Sequence, residues 1–195
     1  MPGIWKIKEK SCWFVGTLHV LKNEDCVLLN NLKDIINKVE ILSLEDKDFL
    51  VAGQNIGLYG KEKSILSELS FEAIGLLKNR CYDLGINFYQ IENLRPWKAV
   101  FYLLFTYYNF IGYSINNGVD KYLLNVFQRK GMSIDSLENS EQTLLVFENI
   151  PLNYQEKFLL DSLSSIDEMK TDIENIYNAW KLGDGSFIEK FICNQ

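Results

Sequence analysis

Cys12-Trp13-Phe14-Val15-Gly16-Thr17-Leu18-His19 decides how the 195-residue chain folds. Four apolar residues run into a glycine, a β-branched threonine and then the only histidine in the sequence. Ile4, Trp5 and Ile7 lie before it, across the polar turn Lys8–Ser11, so residues 4–20 predict a β-hairpin. A polar loop, Lys22–Asp25, follows. Leu32, Ile35, Ile36 and Val39 recur at helical spacing and predict a short helix over residues 29–39. Ile41-Leu42-Ser43-Leu44 then predicts a strand, with Glu45 at its end. A strand, a helix and a strand in this order predict a right-handed crossover with parallel strands, a βαβ unit. That geometry would bring His19 and Glu45 to one edge of the sheet.

The rest of the chain reads mostly as helix. Gly53, Gly57 and Gly60 mark a loop that lacks both a Gly-Lys-Ser/Thr ending and a GxGxxG pattern, so it is not a phosphate loop. Phe71, Ile74, Leu77, Cys81 and Leu84 share one helical face, and Gly85 ends that helix. Pro96 suits a first turn and opens the apolar helix Trp97–Phe110. Val119–Lys130 is a helix closed by Gly131, and Ile134–Glu138 is a short strand ending in Glu138. Residues 140–148, 152–166 and 168–182 predict three more helices, and Phe187–Ile192 a short amphipathic piece. The expected fold is helix-rich α/β, with a small mixed sheet of four or so strands.

Composition narrows the function. Acidic residues outnumber basic ones, 26 against 20, for a net charge of −6, which argues against general binding to nucleic-acid phosphates or to an anionic membrane. No stretch resembles a transmembrane segment: the apolar run Ala99–Tyr113 is interrupted by Thr106, Tyr107, Tyr108 and Asn109. Lys6, Lys8 and Lys10 precede an uncharged stretch, but no small-x-small cleavage site ends it. The chain is therefore expected in the cytoplasm, or exported after loss of a leader. Cys12, Cys26, Cys81 and Cys193 form no CxxC pair and read as buried or free thiols rather than a zinc knuckle.

His19, Glu45 and Glu138 each follow an apolar run read as a strand. In open α/β sheets the functional crevice lies beyond the carboxyl ends of the strands. Imidazole and carboxylate donors suit Zn, Mn or Co, and an ion so held makes a nucleophile of its water at neutral pH. Each residue also has a plainer reading. His19 could be a hydrogen-bonded core residue, Glu45 a solvated loop charge, and Glu138 a carboxylate favoured near the N-terminus of the helix that begins near Ser140.

Six short motifs, in order, carry a family resemblance. Ile4-Trp5-Lys6-Ile7 with Phe14-Val15-Gly16-Thr17-Leu18-His19-Val20 resembles the opening of the TraB/PrgY/GumN family, to which the TIKI-type metalloproteases also belong. Ile35 to Glu45 resembles that family's helix and strand ending in glutamate, and Arg95-Pro96-Trp97-Lys98-Ala99 its Lys-Pro-Trp segment. Gly118-Val119-Asp120-x-x-Leu123, Leu137-Glu138-Asn139-Ser140-Glu141-Gln142 and Ala179-Trp180-Lys181-Leu182-Gly183-Asp184 resemble three further family motifs.

The resemblance implies a metal-dependent, peptidase-like hydrolase. Its catalytic and metal-binding residues would be His19, Glu45 and Glu138, and its substrate a peptide. The family's second Gly-x-x-His follows the Trp-x-x-Gly-Asp region, and this chain has no other histidine. The resemblance thus implies one domain over residues 1–195 that lacks the family's C-terminal part. Such a domain would have an incomplete site that binds Mn, Co or Zn weakly. It would also expose an edge or apolar patch open to self-association or to a complementing chain. The alternative is a non-catalytic remnant, or a regulatory or binding module that keeps the fold. A third reading, a binding protein built on the aromatic helix Trp97–Tyr113, competes with that helix simply being core.

Overall fold

The computed structural model describes residues 3–22, 32–47 and 55–193. The rest of the expected polar loop after Lys22, residues 29–31 of the first expected helix, Cys26 and Gly53 lie outside the described residues. The chain divides into two compact units. One comprises Met1–Lys47, Ile111–Leu137 and Met169–Gln195, the other Asp48–Phe110 and Glu138–Glu168.

In the first unit, β1 (Ile4–Lys6) and β2 (Trp13–Val15) form the expected antiparallel hairpin, with Trp5 opposite Phe14. The two-residue strands β3 (Leu21–Lys22) and β5 (Tyr113–Ser114) also pair antiparallel. β4 (Ile41–Leu44) runs parallel to β6 (Ser133–Ser136), with Leu44 opposite Ser136. Among the described residues, the strands therefore form three two-stranded sheets. Helices dominate the chain, and the fold is helix-rich α/β.

A parallel crossover exists, but β4 finds its partner in β6 and not in the strand before α1 (Lys33–Ile36). β2 is already paired with β1. The helix packed on both β4 and β6 is α5 (Val119–Lys130), which buries Val119, Leu123 and Phe127 at helical spacing. Gly131 adopts φ 64°, where glycine carries no Cβ penalty, and ends α5. Its N–H bonds Gln128 O at 3.1 Å, and the Met132 N–H bonds Phe127 O at 3.1 Å, a closure that turns the chain into β6. α8 (Met169–Leu182) buries Tyr177, Ala179 and Trp180 and packs against α9 (Gly185–Cys193).

Among its described residues, the second unit is helix and loop apart from the isolated bridge between Leu58 and Leu94. It holds α2 (Ile65–Glu68), α3 (Phe71–Asp83), α4 (Pro96–Phe110), α6 (Ser140–Glu148) and α7 (Leu152–Ser164). Ser70 caps α3 by accepting the Ala73 N–H at 3.2 Å. α7 packs against α3 and α4 and buries Leu159 and Leu163 completely. The aromatic residues of α4 belong in part to this core. Trp97 stacks on Phe147 at 5.7 Å, and Phe101 meets Phe147 edge-on at 5.2 Å. The Trp97 indole N–H donates to Glu148 Oε2 at 3.1 Å. Cys12, Cys81 and Cys193 are free thiols, and burial raises the Cys81 pKa to about 11.

Leu159 is enclosed on all sides, so Leu159→Ala leaves a cavity that the neighbouring helices fill only in part. The expected cost is about 2–5 kcal/mol, read as a lower urea midpoint; an unchanged midpoint would contradict the packing described.

Candidate functional site around His19

His19 lies past the end of β2, on the segment that leads into β3. Main-chain and side-chain bonds hold this segment from several sides. The Trp180 indole N–H donates to Gly16 O at 2.9 Å. The Val119 N–H, at the start of α5, donates to Leu18 O at 2.9 Å. Gly118 lies so close to the His19 main chain that a Cβ there would overlap the His19 carbonyl. Beyond His19, Leu21 and Lys22 pair with β5. Two motifs singled out in the sequence, Gly118-Val119-Asp120 and Ala179-Trp180, therefore act on the same few residues.

The histidine side chain has an anchor of its own. His19 Nδ1 is 2.9 Å from Asp120 Oδ2, and the Thr17 side chain hydrogen-bonds the same carboxylate. Asp120 sits in the first turn of α5, where the helix dipole favours a negative charge. Burial pushes the Asp120 carboxyl up. The His19 ring, the Thr17 hydroxyl and the residue's own backbone N–H outweigh that and hold its pKa below the ordinary value. The His19 pKa is raised, first by the bond to Asp120, against burial, and then by the charges of Asp120 and Glu45.

Glu45 follows β4 directly. The Leu137 N–H donates to Leu44 O at 2.8 Å, and the Lys47 N–H to Ser136 Oγ at 2.9 Å, so β6 fixes the chain on both sides of Glu45. Glu45 Oε2 stands 3.9 Å from His19 Nε2, and both side chains are well exposed, at 64% and 59%. His19 and Glu45 are thus brought together, as the sequence predicts, though not by the β2–α1–β4 crossover that predicted it. Glu138 belongs to the second unit. It is exposed, and its Oε2 is 3.5 Å from the Thr143 hydroxyl on α6. The cap of α6 is the next residue, Asn139, whose side chain accepts the Gln142 N–H at 3.1 Å.

Asp120 is the site residue that sequence reasoning missed. It stood inside a recognised motif, but an aspartate in a helix first turn has a sufficient local reason to be there. The neutral ring that donates Nδ1–H to Asp120 carries its lone pair on Nε2, on the Glu45 side. A carboxylate and an imidazole lone pair facing each other favour a cation near both, either a proton or a metal ion. Imidazole and carboxylate suit Zn, Mn or Co in kind. Among the described residues, no group of three or more His, Cys, Asp or Glu side chains is arranged to hold a metal ion.

The shifts fix the pH dependence of the pair. With its pKa raised, His19 contributes stability that is complete below its unfolded value of about 6.5 and is lost as pH rises through the folded value. Asp120, with its pKa lowered, contributes above its unfolded value of about 3.8 and loses that contribution as pH falls through the folded value. Asp120→Asn should therefore lower the melting temperature more at about pH 5.5 than at about pH 8.5. Equal losses at the two pH values would contradict the ion pair.

A family model described as the TraB/PrgY/gumN family matches residues 3–194. No curated protein and no solved structure matches the chain. With nearly its whole length covered by that match, the chain belongs to the TraB/PrgY/gumN family.

Proposed function

We propose that this protein is a metal-dependent, peptidase-like hydrolase whose site is centred on His19 and Glu45. One observation carries the reading: His19 turns Nε2 toward Glu45 at 3.9 Å while Asp120 holds Nδ1 at 2.9 Å. A metal-ligating histidine usually gives its other ring nitrogen to a carboxylate, which sets the tautomer and makes the ligand more basic. Asp120 is suited to that supporting role, and its own bond to Thr17 keeps it in place. His19 Nε2 and Glu45 would hold the ion. A divalent ion there would supply Lewis acidity and a water of lowered pKa. The remaining work falls to the chain itself. Asp120 keeps the His19 proton on Nδ1, and the ties at Gly16 and Leu18 keep the ring at the rim.

Because the His19 pKa is raised, protons compete with metal more than at an ordinary histidine, and loading should strengthen as pH rises. At metal concentrations about a hundredfold above Kd, mass action adds about 2.7 kcal/mol, a rise of about 5–10 °C in Tm. Mn, Co or Zn should give that rise in the parent, none in His19→Ala, and a reduced one in Glu45→Gln. The loaded parent should cleave an unstructured peptide. A metal-dependent rise equal in parent and His19→Ala would remove the metal role of His19. A His19-dependent rise with no cleavage under any of the three metals would favour the non-catalytic alternative.

A further inference from the structure

The β1–β2 hairpin contributes no side chain to the site around His19, yet it has an unusual surface. Trp5 and Phe14 are cross-strand partners, so their side chains share one face. They are 59% and 61% exposed. The Ile7 N–H bonds Cys12 O at 3.0 Å and carries the pairing toward the turn, which places Ile7 and Cys12 on that same face. Ile7 is 37% exposed and Cys12 is exposed too. One whole face of the hairpin is therefore apolar and open.

The leading side chain is also pre-oriented. The Trp5 ring lies across Gly3, where a Cβ would overlap it, and close to Gly16. Gly16 N–H bonds Gly3 O at 2.8 Å and keeps the two glycines together beneath the ring. An exposed tryptophan held in one orientation loses little freedom on contact.

Charge decides what the face would meet. Hairpin residues 3–16 carry Lys6, Lys8 and Lys10 against Glu9, a local net charge of +2 in a chain of net −6. Lys8, Glu9 and Lys10 form the exposed tip, and Lys6 lies over the Trp13 ring at 5.2 Å on the opposite face. Charges beyond about 8 Å are largely screened at physiological salt, so the tip presents its own sign and not that of the whole chain. A second copy of this face brings the same net positive charge, so charge complementarity does not favour it as the occupant. Two aromatic side chains at this exposure offer on the order of 250 Å² of apolar surface. That falls well short of the roughly 800 Å² per partner that a specific protein interface buries. A lipid surface requires no such matched area. It takes up aromatic rings at headgroup level and attracts lysine when the headgroups are anionic.

We propose that the β1–β2 hairpin docks this protein onto an anionic lipid surface, with Trp5 and Phe14 entering the headgroup region and Lys8 and Lys10 facing the anionic headgroups. This goes beyond the hydrolase reading and does not depend on it.

The test is co-sedimentation of the full chain with vesicles of phosphatidylcholine, alone or with about a third phosphatidylserine, at about 0.15 M salt. Binding is expected to the mixed vesicles only, and to fall at high salt. Lys8→Gln/Lys10→Gln, at the exposed tip, should weaken it about 25-fold, roughly fivefold per lysine. Trp5→Ser/Phe14→Ser should weaken it about tenfold or more, with its fold checked by circular dichroism. Failure of the parent to sediment with anionic vesicles would overturn the proposal, as would unchanged binding by the lysine variant. A concentration-dependent dimer that Trp5→Ser/Phe14→Ser abolishes would assign the face to a second copy and overturn it equally.

Discussion

The bond from the Val119 N–H to Leu18 O is the constraint on which the candidate site depends. It joins the first free amide of α5 to the residue before His19, and it works only because position 118 is glycine. Any Cβ there would push the His19 carbonyl away and break the register. With this contact in place, Asp120, one residue further along α5, comes within 2.9 Å of the imidazole. A helix terminus thus does three things at once. It satisfies a loop carbonyl, it lets the backbones approach closely, and it supplies a carboxylate at the end of the helix where negative charge is favoured.

The same economy explains the scattered motifs. Trp180 is buried in α8, and its indole N–H ends on Gly16 O, three residues before His19. β4 and β6 pair with Leu44 opposite Ser136, and two further bonds beyond the strand ends hold the chain on either side of Glu45. Sequence segments more than a hundred residues apart therefore converge on one exposed rim without a large sheet beneath it. The rim is electrostatically biased. One imidazole lies between a half-buried and an exposed carboxylate, and both raise its proton affinity.

Much of this was legible in the residues. The apolar runs on either side of Lys8–Ser11 announce the hairpin, Gly131 announces the end of α5, and Ile41–Leu44 is a strand over the residues expected. The proximity of His19 to Glu45 was also anticipated, but on a different topology. The parallel partner of β4 is Ser133–Ser136, about ninety residues on, and a pairing that distant leaves no local pattern to read. β3 and β5 are two residues each, too short for any period to show. Asp120 does not stand out in the sequence because its place in a helix first turn already accounts for it, and only the fold reveals that it faces an imidazole.

His19 is the only histidine in the chain, so its imidazole resonances can be followed without assignment by mutagenesis. An NMR titration of that ring, in the parent and in Asp120→Asn, tests the central claim most directly. The account predicts a midpoint above about 6.5 in the parent and a clear fall on loss of the carboxylate. A parent midpoint at or below that value, unmoved by the substitution, would contradict it.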